Sequence, residues 1–320
     1  MSIGIGAVHC LLPEQRVVVA DLPELARLDE EELKFADRAG VRTVGVFPDT
    51  EPTELAARAC RELIAVHPVD PDLVIHIGSR APDVLIGSDA GKIAHLAGLT
   101  STFPFTVDGL GCAGSSAAWG LGRDLLLGDP DRESVLITYG SRPTGVDRVR
   151  NPVTVIGDGA FAMTLVRGGR PVLKAHRMEA DSSFHDLFKV DYKNTPRSQW
   201  REECANNDRY SFELAMHSRT RLSGLVDRVL ADAGLAKDDV TATLMQNVTA
   251  SAYQFYERTL DLPIHRICAV HLAELGHLGA MDVVLNLDRL LAVGGLERGD
   301  HVLVLSNSPV AAWTVTLWEI

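Results

Sequence analysis

Two glycine-lined turns hold the side chains with the most chemistry to offer. In VDGLGCAGSSAAWGLGRDLLLG, Cys112 sits between glycines, directly ahead of a run of small residues whose pattern predicts a buried helix. A thiol there meets unpaired N–H groups and the positive end of the helix dipole, which favour thiolate. The same N–H groups can receive an oxyanion. A structural cysteine buried in a glycine turn accounts for this segment equally well. In ELGHLGAMD, residues 274–282, His277 follows an apolar stretch and precedes an amphipathic helical pattern. Alone it reads as a polar residue in a tight turn. It is a candidate general base only if another segment brings it something to deprotonate.

The elements around these turns supply such a segment. Short β-branched runs over 72–79, 133–141, 160–169, 240–248 and 300–308 have fully apolar centres, as strands buried on both faces of a sheet do. Helical patterns such as PTELAARACRELIAV and LSGLVDRVLADAG precede them, which makes the chain α/β. The order repeats. In each half a helix leads to a strand, then to a glycine turn, a helix and a second strand. Cys112 lies 23 residues before Val135, and His277 lies 25 before Val302. If the halves pack about a pseudo-twofold axis, the two turns face each other.

Composition bounds the rest. A chain of 320 residues is either one large α/β body or two fused units, and 46% hydrophobic with 23% charged residues is ordinary for a globular protein. A formal charge of −12 provides no global field for nucleic acid or an anionic membrane. The apolar start MSIGIGAVHCLLPEQ predicts a first strand, not a leader, and no segment reaches membrane-spanning length. Five scattered cysteines without a C-x-x-C pair fit a reducing cytoplasm and argue against zinc. Of these, Cys10, Cys60, Cys204 and Cys268 read as inert thiols. Residues 180–210 are polar and irregular, reading either as the border of an entrance or as a surface excursion. Their basic run, Lys189, Lys193, Arg197 and Arg201, is either a solvated loop or a docking patch for an acidic carrier protein.

These segments resemble the thiolase-fold condensing enzymes, in the ketosynthase III branch (β-ketoacyl-ACP synthase III). VDGLGCAGSSAA is similar to the nucleophile segment, and VIGDGAFAMTL to a Gly-Asp-Gly-Ala strand signature at Gly157, Asp158, Gly159 and Ala160. LMQNVTASAYQ and ELGHLGAMD fall where the two remaining catalytic residues lie, and SNSPVAAWTVTLWEI resembles the terminal strand. The resemblance implies two similar halves, residues 1–168 with Cys112 and 169–320 with His277, forming a five-layered α-β-α-β-α core. It also implies a homodimer and an acyl thioester on Cys112, donated by acyl-coenzyme A or the phosphopantetheine of acyl carrier protein, with no permanently bound cofactor.

Two departures from the family bear on function. A decarboxylating ketosynthase III has histidine in the first later motif and asparagine in the second; here the first reads Gln246-Asn247 and the second carries His277. In the terminal loop a glycine run gives way to Asn307-Ser308-Pro309-Val310, and Pro309 has no N–H for an oxyanion hole. The Cys112 N–H remains the expected donor. A single histidine suits deprotonation of an alcohol or amine acceptor. The closest resemblance is therefore to the ketosynthase III-like acyltransferases of natural-product pathways. His277 is expected as base and acid and Asn247 as an amide helper, with Asp282 as the orienter of the imidazole; His185 is a weaker candidate for that support. On spacing alone Asp282 serves equally as a first-turn carboxylate, and Asn247 as the cap of a strand end. The alternative function is carbon–carbon condensation at starter-unit priming in polyketide or fatty-acid biosynthesis. A binding subunit with a degenerate site is a third reading.

Overall fold

The computed structural model describes residues 2–78, 81–83, 86–143, 145 and 147–320. Nine strands make its principal sheet: β1 (Ile3–Leu11), β2 (Leu73–Ile77), β3 (Phe103–Val107), β4 (Ser134–Ser141), β5 (Gly159–Arg167), β6 (Val172–Ala180), β7 (Ala242–Met245), β8 (His301–Asn307) and β9 (Ala312–Glu319). The helices are α1 (Glu30–Arg38), α2 (Pro52–Val66), α3 (Asp89–Ala97), α4 (Gly114–Gly128), α5 (Ala215–Ala233), α6 (Ala250–Leu260), α7 (Arg266–Leu275) and α8 (Met281–Val293). Each of the five apolar runs coincides with a strand, one of which starts a residue early, at Gly159. Ser79, at the end of the 72–79 run, lies outside the described residues. Every residue of β2 and β4 is buried, because both faces of these strands are covered.

Strand order is β7-β8-β9-β6-β1-β5-β4-β2-β3. Outward from β1, the pairings run antiparallel to β5, antiparallel from β5 to β4, then parallel to β2 and parallel to β3. Outward from β6, they run antiparallel to β9, antiparallel to β8 and parallel to β7. Thr243 of β7 then pairs in parallel with Ile264, where a fifth strand would lie. One arrangement thus occurs twice, and a single Gly4–Val172 pairing of β1 with β6 makes the two sheets continuous.

Helices α4 and α8 touch each other, and each contacts strands of both halves. On one outer face α2 covers β1, β4 and β5, with α3 beside it over β2 and β3; on the other α5 covers β6 and β9, with α6 against it. This is the α-β-α-β-α stack. Helix α2 forms because Pro52 stands at its first turn and Leu55, Ala56, Ala59, Cys60 and Leu63 make one apolar stripe, each leucine worth about 1.5–3 kcal/mol of burial. The middle layer has a different requirement. A methyl group on Gly120 of α4 would stand 2.4 Å from the His176 ring on β6, so the small residues noted in sequence are what let two sheets close on one helix.

Candidate active site

Both turns enter this middle layer. Residues Gly111–Ala113 form a short 3-10 turn that feeds α4 and packs against β8 and β9, leaving Cys112 only 4% exposed. His277 lies between α7 and α8 and is itself a strand-like bridge. Its N–H donates to the Val155 carbonyl (2.9 Å), and its carbonyl accepts from the Gly157 N–H (3.0 Å). Gly276 makes the approach possible: its φ is +71°, and a methyl group there would sit 2.7 Å from the Val155 oxygen. The Gly-Asp-Gly signature is the platform under this turn. Asp158, wholly buried, accepts two Arg148 guanidinium bonds at 2.8 and 3.1 Å and the Phe47 N–H at 2.9 Å. Across the site, the Ser115 hydroxyl of α4 donates to the Ala280 carbonyl just ahead of α8 (2.5 Å), fixing one turn against the other.

The result is a line of three side chains. Cys112 Sγ is 3.0 Å from His277 Nε2, and His277 Nδ1 is 2.5 Å from Asp282 Oδ2. His277 and Asp282 are both fully buried. Asp282 stands in the first turn of α8 and His277 before the helix begins, so the five-residue offset is spanned by a turn instead of one helical face. The carboxylate also accepts the Asn247 N–H on Oδ2 and the Leu278 N–H on Oδ1, both at 2.8 Å. Burial lowers the His277 pKa, but the Cys112 thiolate and the Asp282 carboxylate outweigh it and raise it from 6.5 to about 9. The imidazole thus holds its proton more tightly than a free histidine does. By contrast, burial pushes the thiols of Cys60 and Cys268 up to about 12, and those of Cys10 and Cys204 also upward, as inert thiols require.

Asn247 joins the network through both its backbone and its side chain. Its backbone N–H holds Asp282, while its side-chain oxygen accepts from Tyr253 Oη and Asn286 Nδ2, both at 3.0 Å. Its Nδ2 is buried without a partner among the described residues. Gln246, at the position of the expected first motif, is committed elsewhere: its amide bonds the side chain and the backbone N–H and C=O of Asn307 at the end of β8. Asn286, which also bonds the Met245 carbonyl and His271, and Tyr253 were not singled out in sequence. Asn286 had one signal: it lies four residues after Asp282, a polar residue on the same face of an apolar helix.

Other candidates lie away from this line. His185 is exposed at the end of the Ser182–Phe184 turn, so Asp282 and not His185 supports the imidazole. Two members of the basic run have carboxylate partners of their own, and a third lies near one. Arg197 pairs with Glu51, Arg201 with Glu32 and Asp147, and Lys189 approaches Glu203. The 180–210 segment walls a cavity of about 310 Å³ through Trp200, Glu202 and Cys204. Arg150 and Ile156 line the same cavity, and Ile156 is the residue whose backbone pairs with His277. Among the described residues no helix is long and apolar enough to cross a membrane.

A family model described as 3-oxoacyl-[acyl-carrier-protein (ACP)] synthase III C terminal matches residues 230–320, the part that carries Asn247, His277 and Asp282. The chain is 23% identical over 324 residues to the β-ketoacyl-[acyl-carrier-protein] synthase III of Coxiella burnetii, covering 99% of this chain and 98% of that one. Among solved structures, it matches the 3-oxoacyl-(acyl carrier protein) synthase III of Pseudomonas aeruginosa with a TM-score of 0.80 at 21% identity, over 100% and 98% of the two chains. ChlB3, described as an acyltransferase, matches with the same TM-score and coverage at 24% identity. The shared architecture is the thiolase fold expected from the sequence.

Proposed function

We propose that this chain, whose resemblance to the ketosynthase III branch its relatives bear out, is an acyltransferase of natural-product metabolism. It takes an acyl group from a coenzyme A or acyl-carrier-protein thioester and passes it through acyl-Cys112 to an alcohol or amine. The observation that carries this reading is His277 bonded at once to Cys112 Sγ and Asp282. In the resting site the proton rests on the imidazole and the sulfur is thiolate. The thiolate attacks the donor carbonyl, the C–S bond to Cys112 forms, and the departing donor thiolate takes the imidazolium proton. Acylation also removes the anionic neighbour that raised the imidazole's proton affinity. His277 is thereby left neutral, a weaker base but one whose lone pair is free just when the acceptor's proton must be removed. Asp282 holds the ring and its charge, and the Asn247 N–H holds Asp282.

Carbon–carbon condensation, the alternative, needs two side-chain donors on one enolate oxygen. Its two donors would be His277 and Asn247, whose Nδ2 is buried without a partner among the described residues; the Asp282 carboxylate behind the imidazole supports proton transfer by His277 instead. The donor thioester brings its own phosphopantetheine arm, so no resident cofactor is part of the proposal. A homodimer is expected. Reaction with malonyl and simple acyl donors, read by protein mass and released carbon dioxide, tests the proposal. An acyl adduct discharged by an alcohol or amine supports it; decarboxylation coupled to a β-keto product overturns it.

A further inference from the structure

The terminal hairpin carries a proline where a backbone donor could stand. Between β8 and β9, Ser308 N–H donates to the Ala312 carbonyl and Ala311 N–H to the Ser308 carbonyl, both at 2.9 Å, and Pro309 has no N–H. Val310, the remaining residue of the loop, is 37% exposed. Beside this depleted loop sits a hydroxyl with nothing to do. Ser308 is 2% exposed, and its Oγ has no hydrogen-bond partner among the described residues. A buried orphan hydroxyl costs about 1–3 kcal/mol, so it calls for an explanation. Its position is informative: a methyl group built on Gly111, the residue preceding Cys112, would lie 3.3 Å from Ser308 Cβ and 3.8 Å from Oγ. The nucleophile turn packs on β8 and β9 at this point. Gln246 clamps Asn307 through both backbone groups, which fixes the residue that delivers Ser308.

We infer that the Ser308 hydroxyl is an oxyanion donor, supplying from a side chain the hydrogen bond that Pro309 cannot supply from its backbone. The inference rests on the acyl-Cys112 step of the proposed function. As the thiolate adds to the carbonyl carbon, the carbonyl electron pair moves onto oxygen and Ser308 O–H donates to it. When the tetrahedral intermediate collapses, the pair returns, the leaving group departs and the hydroxyl keeps its proton. Gln246 is a positioning residue for this donor.

Two reagents separate this role from a structural one. p-Nitrophenyl acetate acylates a thiolate through a tetrahedral oxyanion and asks for no natural donor, whereas iodoacetamide alkylates the same sulfur without one. Ser308→Ala is expected to slow acylation of Cys112 about 10²-fold, the usual effect of removing one oxyanion donor. Alkylation and the urea unfolding midpoint should stay within about twofold, and Ser308→Thr should recover part of the acylation rate. Equal loss of acylation and alkylation, or no loss of either, overturns the inference. So does a wild-type protein that alkylates but resists acylation. Failure with every natural thioester, by contrast, counts against the proposed function and not against Ser308.

Discussion

Replacing Asp282 with asparagine alters no shape and removes one charge, so its effect can be worked out bond by bond. The carboxylate accepts three hydrogen bonds, from His277 and the Asn247 N–H on one oxygen and from the Leu278 N–H on the other. An amide has one oxygen. If that oxygen keeps Leu278, the NH2 group faces the Asn247 N–H, and the imidazole must present a lone pair to it. Nε2 then carries the proton toward Cys112 and cannot accept one. If the amide is flipped, the tautomer survives, but the Leu278 N–H confronts a donor. Either arrangement leaves a buried N–H opposed by another, at about 1–3 kcal/mol of stability. The chemical loss is larger, because a neutral amide no longer balances the imidazolium. The equivalent change in a Ser-His-Asp triad costs about 10⁴ in kcat, so about 10³–10⁴ is expected here, or about 4–5.5 kcal/mol of barrier. Single-turnover acylation followed by intact mass measures it, with urea unfolding as the control for folding. A folded Asp282→Asn protein that acylates within tenfold of wild type would refute the reasoning.

Two further predictions concern burial. Asn286→Leu withdraws the donors to the Met245 carbonyl and the Asn247 side chain. It should lower stability by about 1–3 kcal/mol in urea unfolding and reduce kcat with little change in KM, because Asn247 then holds Asp282 less firmly. His76, fully buried on β2, has its pKa lowered from 6.5 to about 4, chiefly by burial, and His176 behaves alike. Between those pH values the unfolded chain binds protons that the folded chain refuses, so stability is present above pH 6.5 and is lost as pH falls toward 4. Each histidine contributes up to about 1.4 kcal/mol per pH unit, and His76→Ile should make the acid limb of urea stability shallower by one such share.

Much of this was legible in local pattern. Helix α2 begins and ends where its proline and apolar stripe place it, and each expected strand is a run too apolar to face water. The repeat of helix, strand, turn, helix and strand put Cys112 and His277 at equivalent points, and two sheets closing on α4 and α8 then bring the turns together. What stayed hidden depends on partners distant in the chain. Arg197 and Arg201 look like an open basic face until Glu51, Glu32 and Asp147 fold against them. Asn247 reads equally as an amide helper or as the cap of a strand end until Tyr253 and Asn286 donate to its side-chain oxygen and its N–H donates to Asp282. Ser308 is one polar residue among several in its loop, and only packing shows that its hydroxyl was left without a partner beside the nucleophile.

The central claim is that Cys112 carries an acyl group which His277 helps transfer to oxygen or nitrogen. Its most direct test is the intact mass of the protein during incubation with acyl-coenzyme A donors, then after addition of an alcohol or amine. The account predicts a mass gain of one acyl group, absent in Cys112→Ala, that disappears on acceptor addition with formation of an ester or amide and no carbon dioxide. A protein that stays unmodified through the donor panel, or that retains its adduct in Cys112→Ala, would contradict it.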